Sequence, residues 1–192
     1  MEPEALAARA RARARARARR EMARRAYEVG RARYAAWAAA PTLAVVIVAV
    51  LMSDQRASAL LIGAALYATA ALLHWRGRHL GRGVLPGVAA GIVPFAAAHA
   101  ARLYGHMCTP EGCVSLCVPA CLTGGLIAGA GVARLAWRSE RLRASWAPAC
   151  GVAALTGALG CACVGYGGVL ALAAGLVLGA APLALRPAQS GA

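Results

Sequence analysis

At 192 residues, 60% hydrophobic, 5% aromatic and with a formal net charge of +14, the chain is too greasy for an ordinary soluble domain, which is about 45–50% apolar. All its basic residues apart from four His are Arg, and the lack of Lys excludes a phosphate-binding glycine loop ending in Lys. The excess of Ala, Arg and Gly is the composition expected of a GC-rich bacterial genome.

Residues 1–33 form an Arg/Ala-rich arm that alternates the two residue types over much of its length. It is expected to be a basic helix lying at or below the inner surface of a membrane. Alternation puts Arg all round such a helix, so no clean apolar face results. The partners expected for it are anionic lipid headgroups, at about 1 kcal/mol per Arg near the surface, or an acidic cytoplasmic protein, with nucleic acid the weaker reading. Met22 offers a second start, which would make residues 1–21 an artefact of gene calling.

Residues 34–186 then hold six apolar runs joined by short connections, at about 34–52, 57–75, 84–103, 114–133, 146–163 and 169–185. A span needs about 20 residues. Only helices and closed barrels satisfy the backbone in lipid, and these runs do not alternate as barrel strands do. The expectation is an all-α, polytopic membrane protein with six transmembrane helices in a compact bundle. Arg counts orient it, because Arg beside a membrane favours the cytoplasm. The arm, the connection with Arg76, Arg78 and Arg82, and the connection with Arg138, Arg141 and Arg143 fall on one side. The intervening connections SDQRAS, GHMCTPEGC and VGYGG are poor in Arg. Both termini, including the tail 187–192, are therefore expected in the cytoplasm of a bacterial inner membrane.

Small residues at helical spacing mark expected packing faces: Gly87 and Gly91, Gly125 and Gly129, Gly175 and Gly179. Glycine pairs four apart let helix backbones approach closely. Cys117, Cys121, Gly125 and Gly129 share one such stripe, so the cysteines are expected to face the bundle. Pro94 is expected to kink the third span and open a small cavity under His99.

The chemistry gathers at the end opposite the arm. His106, Cys108, Cys113, Cys117 and Cys121 fall within residues 105–121, and Cys161 and Cys163 end the fifth span. His99 lies below them. Three readings remain open. Disulfides persist in an oxidising compartment, and six outer cysteines allow 15 connectivities, among them a bridge from the 105–113 connection to Cys161 or Cys163. Thiolates with imidazole also suit a soft metal, Zn or Cu(I). Finally, Cys117 and Cys121 near a helix start can carry lowered thiol pKa values. That third plan is similar to the membrane thiol oxidoreductases that pass electrons from dithiols to quinone, although their CxxC is absent.

No carboxylate lies inside a span, which argues against a proton-driven carrier. No Ser/His/Asp set is legible, and catalysis is not expected. The functional expectation is a sensor or handler of soft metal or redox state. Small membrane-bound anti-sigma regulators have a similar plan. The competing expectations are a thiol–disulfide oxidoreductase, a metal carrier, and a structural membrane protein whose cysteines are plain disulfides.

Overall fold

The computed structural model describes residues 3–53, 55–109, 112–138, 145–161 and 166–184. Of these, the side chains of 3–12, 78, 106–115, 166 and 183–184 are outside the description. The fold is helical, with one short hairpin between two of the helices.

Helix α1, Pro3–Met52, runs for 50 residues and joins the Arg/Ala arm to the first apolar run without a break. At 1.5 Å per residue it is about 75 Å long. The arm expected as a basic helix is helical and is continuous with the first apolar run. Ala and Arg are strong helix formers, and the ion pairs Arg24–Glu28 (3.0 Å) and Arg25–Glu21 (2.8 Å) brace the exposed part. Such exposed pairs add only a few tenths of a kcal/mol. Pro41 sits inside α1. Nearby carbonyls are taken by side chains: the Thr42 hydroxyl donates to Ala39 O at 2.7 Å and the Tyr67 hydroxyl to Ala36 O at 3.2 Å. Tyr67→Phe is expected to cost about 0.6 kcal/mol, the mean for interhelical hydrogen bonds in lipid. Unfolding of the detergent-solubilised variant in SDS measures it.

Helix α2, Arg56–Arg76, returns antiparallel to α1. A single turn, α3 (Arg78–Gly81), leads into α4, Val84–Tyr104. Gly105, at φ 73°, ends α4 in a backbone conformation that L side chains rarely adopt, and its N–H bonds Ala101 O. The chain then forms an antiparallel hairpin, β1 (His106–Thr109) and β2 (Gly112–Ser115), where a plain connection was expected. The next helix, α5, is Cys117–Arg138. It starts three residues later than the expected 114, because Val114 and Ser115 belong to β2. Helices α6, Trp146–Cys161, and α7, Tyr166–Ala184, complete the described chain.

Among the described residues, four helical segments are long and apolar enough to cross a membrane: Arg13–Met52, Arg56–Arg76, His79–Tyr104 and Cys117–Arg138. The fifth and sixth apolar runs form shorter helices. At 16 residues α6 is about 24 Å long, short of the roughly 30 Å of bilayer hydrocarbon. Its position explains the tolerance. Val152 and Leu159 belong to a core shared with α1, α2 and α4, while Ala153, Ala158 and Cys161 belong to one shared with α4, α5 and α7. From Thr156 to Cys161 every residue is buried. Over that stretch the central helix meets protein, while Ala147 and Gly151 in its first half stay exposed.

Glycine contacts fix the helix directions. A Cβ on Gly87 would lie 2.6 Å from Ala149 O, and one on Gly91 2.8 Å from Ala153 O, so α4 and α6 run parallel. A Cβ on Gly125 would lie 2.5 Å from Leu172 O, and one on Gly129 2.5 Å from Leu176 O, so α5 and α7 also run parallel. Gly175 and Gly179 close the second seam from the other side, against Leu122 O and Leu126 O. Parallel neighbours in each pair mean that the short connections all turn back across the bundle. One end therefore carries the arm and all four tryptophans, Trp37, Trp75, Trp137 and Trp146. The other end carries the β-hairpin.

Pro94 is fully buried and is seated by glycines on two helices. A Cβ on Gly124 would lie 2.7 Å from Pro94 Cα, and one on Gly157 2.9 Å from Pro94 Cγ. At the level of Pro94 itself the helices are closely packed.

Candidate functional site

The hairpin end is where the sequence concentrates its cysteines, and the backbone register sets two of them at paired positions. Cys108 on β1 is paired directly with Cys113 on β2, and His106 with Ser115. Directly opposed residues of an antiparallel pair have Cβ atoms about 4.5–5.5 Å apart. The side chains of His106, Cys108 and Cys113 lie outside the described residues, as does the whole of Cys163.

Directly after the hairpin, Cys117 is the first residue of α5 and is half-buried. Pro119 occupies the first turn, where a missing N–H costs nothing. The first backbone bond of the helix runs from Ala120 N to Leu116 O. Thr123 donates to Pro119 O at 2.8 Å, capping a carbonyl of that turn from within the helix.

One turn further on, Cys121 forms a disulfide with Cys161 at the end of α6, with Cα atoms 6.6 Å apart. Both residues are fully buried. The bridge therefore uses Cys161, but its partner is on the face of α5 and not in the 105–113 segment. The stripe from Cys117 to Gly129 does face the interior, and it serves two neighbours: Cys121 meets α6, while Gly125 and Gly129 meet α7. Cys150, in α6, is a half-buried free thiol well away from this end.

His99 lies near the end of α4, stacked on Phe95 with ring centroids 4.5 Å apart. Its Nδ1 is 3.1 Å from Phe95 O. A carbonyl only accepts, so Nδ1 is the donor, and in the neutral ring the lone pair is on Nε2. That Nε2 is buried and has no hydrogen-bond partner among the described residues. This is the tautomer a metal-binding imidazole adopts when its other nitrogen donates to a carbonyl. Among the described residues, however, no group of three or more His, Cys, Asp or Glu is placed to hold a metal ion. A Zn or Cu(I) site would have to draw on the hairpin and Cys163.

Two further features are not signalled by the sequence. Thr156 is fully buried at the centre of α6, and its hydroxyl has no partner among the described residues. Thr156→Val keeps the shape and removes the orphan hydroxyl, so it is expected to stabilise the bundle by about 1 kcal/mol, read as a raised midpoint in thermal unfolding. The second is a groove between α5 and α7 at the tryptophan end. Of the basic residues expected to face lipid headgroups, Arg76, Arg82 and Arg138 are exposed at this same end. The side chain of Arg78 and the whole of Arg141 and Arg143 lie outside the described residues.

Comparison with protein-family models, curated proteins and solved structures finds no match to this chain. Function must be argued from the geometry.

Proposed function

We propose that this is a six-span protein of a bacterial inner membrane that senses redox state or soft metal through a cysteine-bearing cap on its outer face. In this reading both termini are cytoplasmic and the arm reports the state of the cap. The observation that carries it is the register of the hairpin, which sets Cys108 opposite Cys113 beside Cys117 and the buried Cys121–Cys161 bridge. The bridge anchors the cap, and the hairpin pair is the responsive element. Oxidation of that pair joins the two sulfurs and gives two electrons and two protons to the oxidant. Binding of Zn or Cu(I) would instead hold both as thiolates.

Orientation has two independent supports. Arg collects at the arm end, and the disulfide sits at the opposite end, where an oxidising compartment would preserve it. The continuity of α1 supports a reporting role, because a shift of the span at one end moves the arm at the other.

The test is thiol counting by intact mass after acid quenching and alkylation under denaturing conditions, in cells with and without oxidant, and with and without a metal chelator. Cys121 and Cys161 are expected to stay unlabelled throughout, while Cys108 and Cys113 gain or lose label together. An unchanging label count in every condition rejects the sensor. It would favour a second reading, a purely structural cystine framework, for which the complete burial of Cys121 and Cys161 already speaks.

A further inference from the structure

We propose that the groove between α5 and α7 at the tryptophan end is a binding site for the phosphate of an anionic phospholipid. It is a cavity of about 490 Å³, lined by Gly131, Arg134, Trp137 and Arg138 from α5 and by Gly179 and Pro182 from α7. That volume lies within the usual range for small-molecule sites, roughly 300–1,000 Å³.

The lining is ordered along the helix axis as a lipid is. Toward the middle of the bundle it is small and apolar. Gly179 lies directly against Leu126 O and Ala130 N, continuing the close contact that Gly175 makes one turn earlier. Past that contact the groove is open, and a Cβ added at Gly131 would meet nothing within 4 Å. At the outer edge of the groove stand two cations. Arg134 and Arg138 are four residues apart, hence on one face of α5, and both are exposed. No acidic residue lines the groove among the described residues. Trp137 lies between them in sequence, at the end of the bundle that also carries Trp75 in the last turn of α2, Trp146 at the start of α6 and Trp37 within α1. Tryptophan at helix ends marks the headgroup region of a bilayer.

A free anion would need only the two arginines. The apolar trough leading away from them, sized by Gly131 and Gly179, accounts for nothing in that case. An acyl chain in the trough with its phosphate between Arg134 and Arg138 uses both parts. Two guanidinium groups suit phosphate oxygens because each presents paired N–H donors. Basic recesses between spans are a known physical solution for holding acidic headgroups.

The experiment is native mass spectrometry of the full chain in detergent, titrated with phosphatidylglycerol or with phosphatidylcholine of the same acyl chains. Phosphatidylglycerol should bind about tenfold more tightly, and Arg134→Gln/Arg138→Gln should remove that preference. Gly131→Leu fills the trough without touching either Arg, and should weaken both lipids. It also keeps the proposal testable if the double variant fails to fold. Equal binding of the two lipids, or full retention in Gly131→Leu, overturns the site. So does an equal loss in Arg76→Gln/Arg82→Gln, which would show diffuse attraction to the basic end. Complete displacement of lipid by inorganic phosphate would mean a small-anion site and would also overturn it.

Discussion

Removing the Cys121–Cys161 bridge is expected to lower the stability of the bundle by about 2–4 kcal/mol. The bridge links residues 40 apart in sequence, for which the loop-closure estimate is about 4 kcal/mol. The lower part of the range allows for the reference state: in lipid, separated helices remain helical and tethered, so less chain freedom is there to be constrained. What the bridge holds is specific. It fastens the hairpin end of α5 to the end of α6, the helix that both cores share. The measurement is SDS or thermal unfolding of the wild type, the wild type under reducing conditions, and Cys121→Ala/Cys161→Ala. The reduced wild type and the double variant should melt alike, and both below the oxidised protein. A midpoint that ignores reduction would show that the bridge adds nothing to helices already locked by glycine packing.

The membrane character of the fold was legible because long apolar runs have few other uses. Their boundaries were less so. The fourth run was read from Val114, yet backbone pairing claims residues 112–115 for a strand. Four-residue strands carry too little pattern to be separated from a loop by periodicity. The fifth and sixth runs were read at spanning length, but burial of α6 among its neighbours relaxes the length requirement that lipid imposes. The arm was read as a basic helix at or below the inner surface, without a statement of how it joins the first span. Helix propensity is blind to the change in charge at residue 34: Ala and Arg propagate a helix as well as the apolar run does. At the candidate site, spacing placed Cys121 on an interior face but could not choose its partner. Cys161 became that partner because α6 packs parallel to α4 and reaches the hairpin end beside α5. That is a tertiary fact, and one chain of letters with six cysteines on one side leaves it open. The groove at Arg134 and Arg138 went unread for the same reason, since half of its wall belongs to α7.

Gly125→Ala is expected to cost about 1–3 kcal/mol, the range for inserting a methyl group where none fits. The added Cβ would sit 2.5 Å from Leu172 O and 3.1 Å from Leu176 N. Both are backbone atoms of α7, so no rotamer change relieves the clash and the two helices must separate. Gly175→Ala attacks the same seam from the opposite wall, against Leu122 O. Once one methyl has forced the helices apart, the second meets less resistance, so the double variant should lose less than the sum of the singles. Gly131→Ala and Gly151→Ala are the controls. Both positions are in helices with open space where the Cβ would go, and Ala is about 1 kcal/mol better than Gly in a helix interior. Those two should be neutral or stabilising in the same unfolding assay. If Gly125→Ala behaved as they do, close backbone contact would not be what holds α5 to α7. Lipid offers these helices no hydrophobic drive to associate. A seam that tolerates a methyl would leave α5 held by its packing on α4 at Gly124 and Pro94 and by the disulfide, and the cost of reducing the bridge should then lie at the upper end of its expected range.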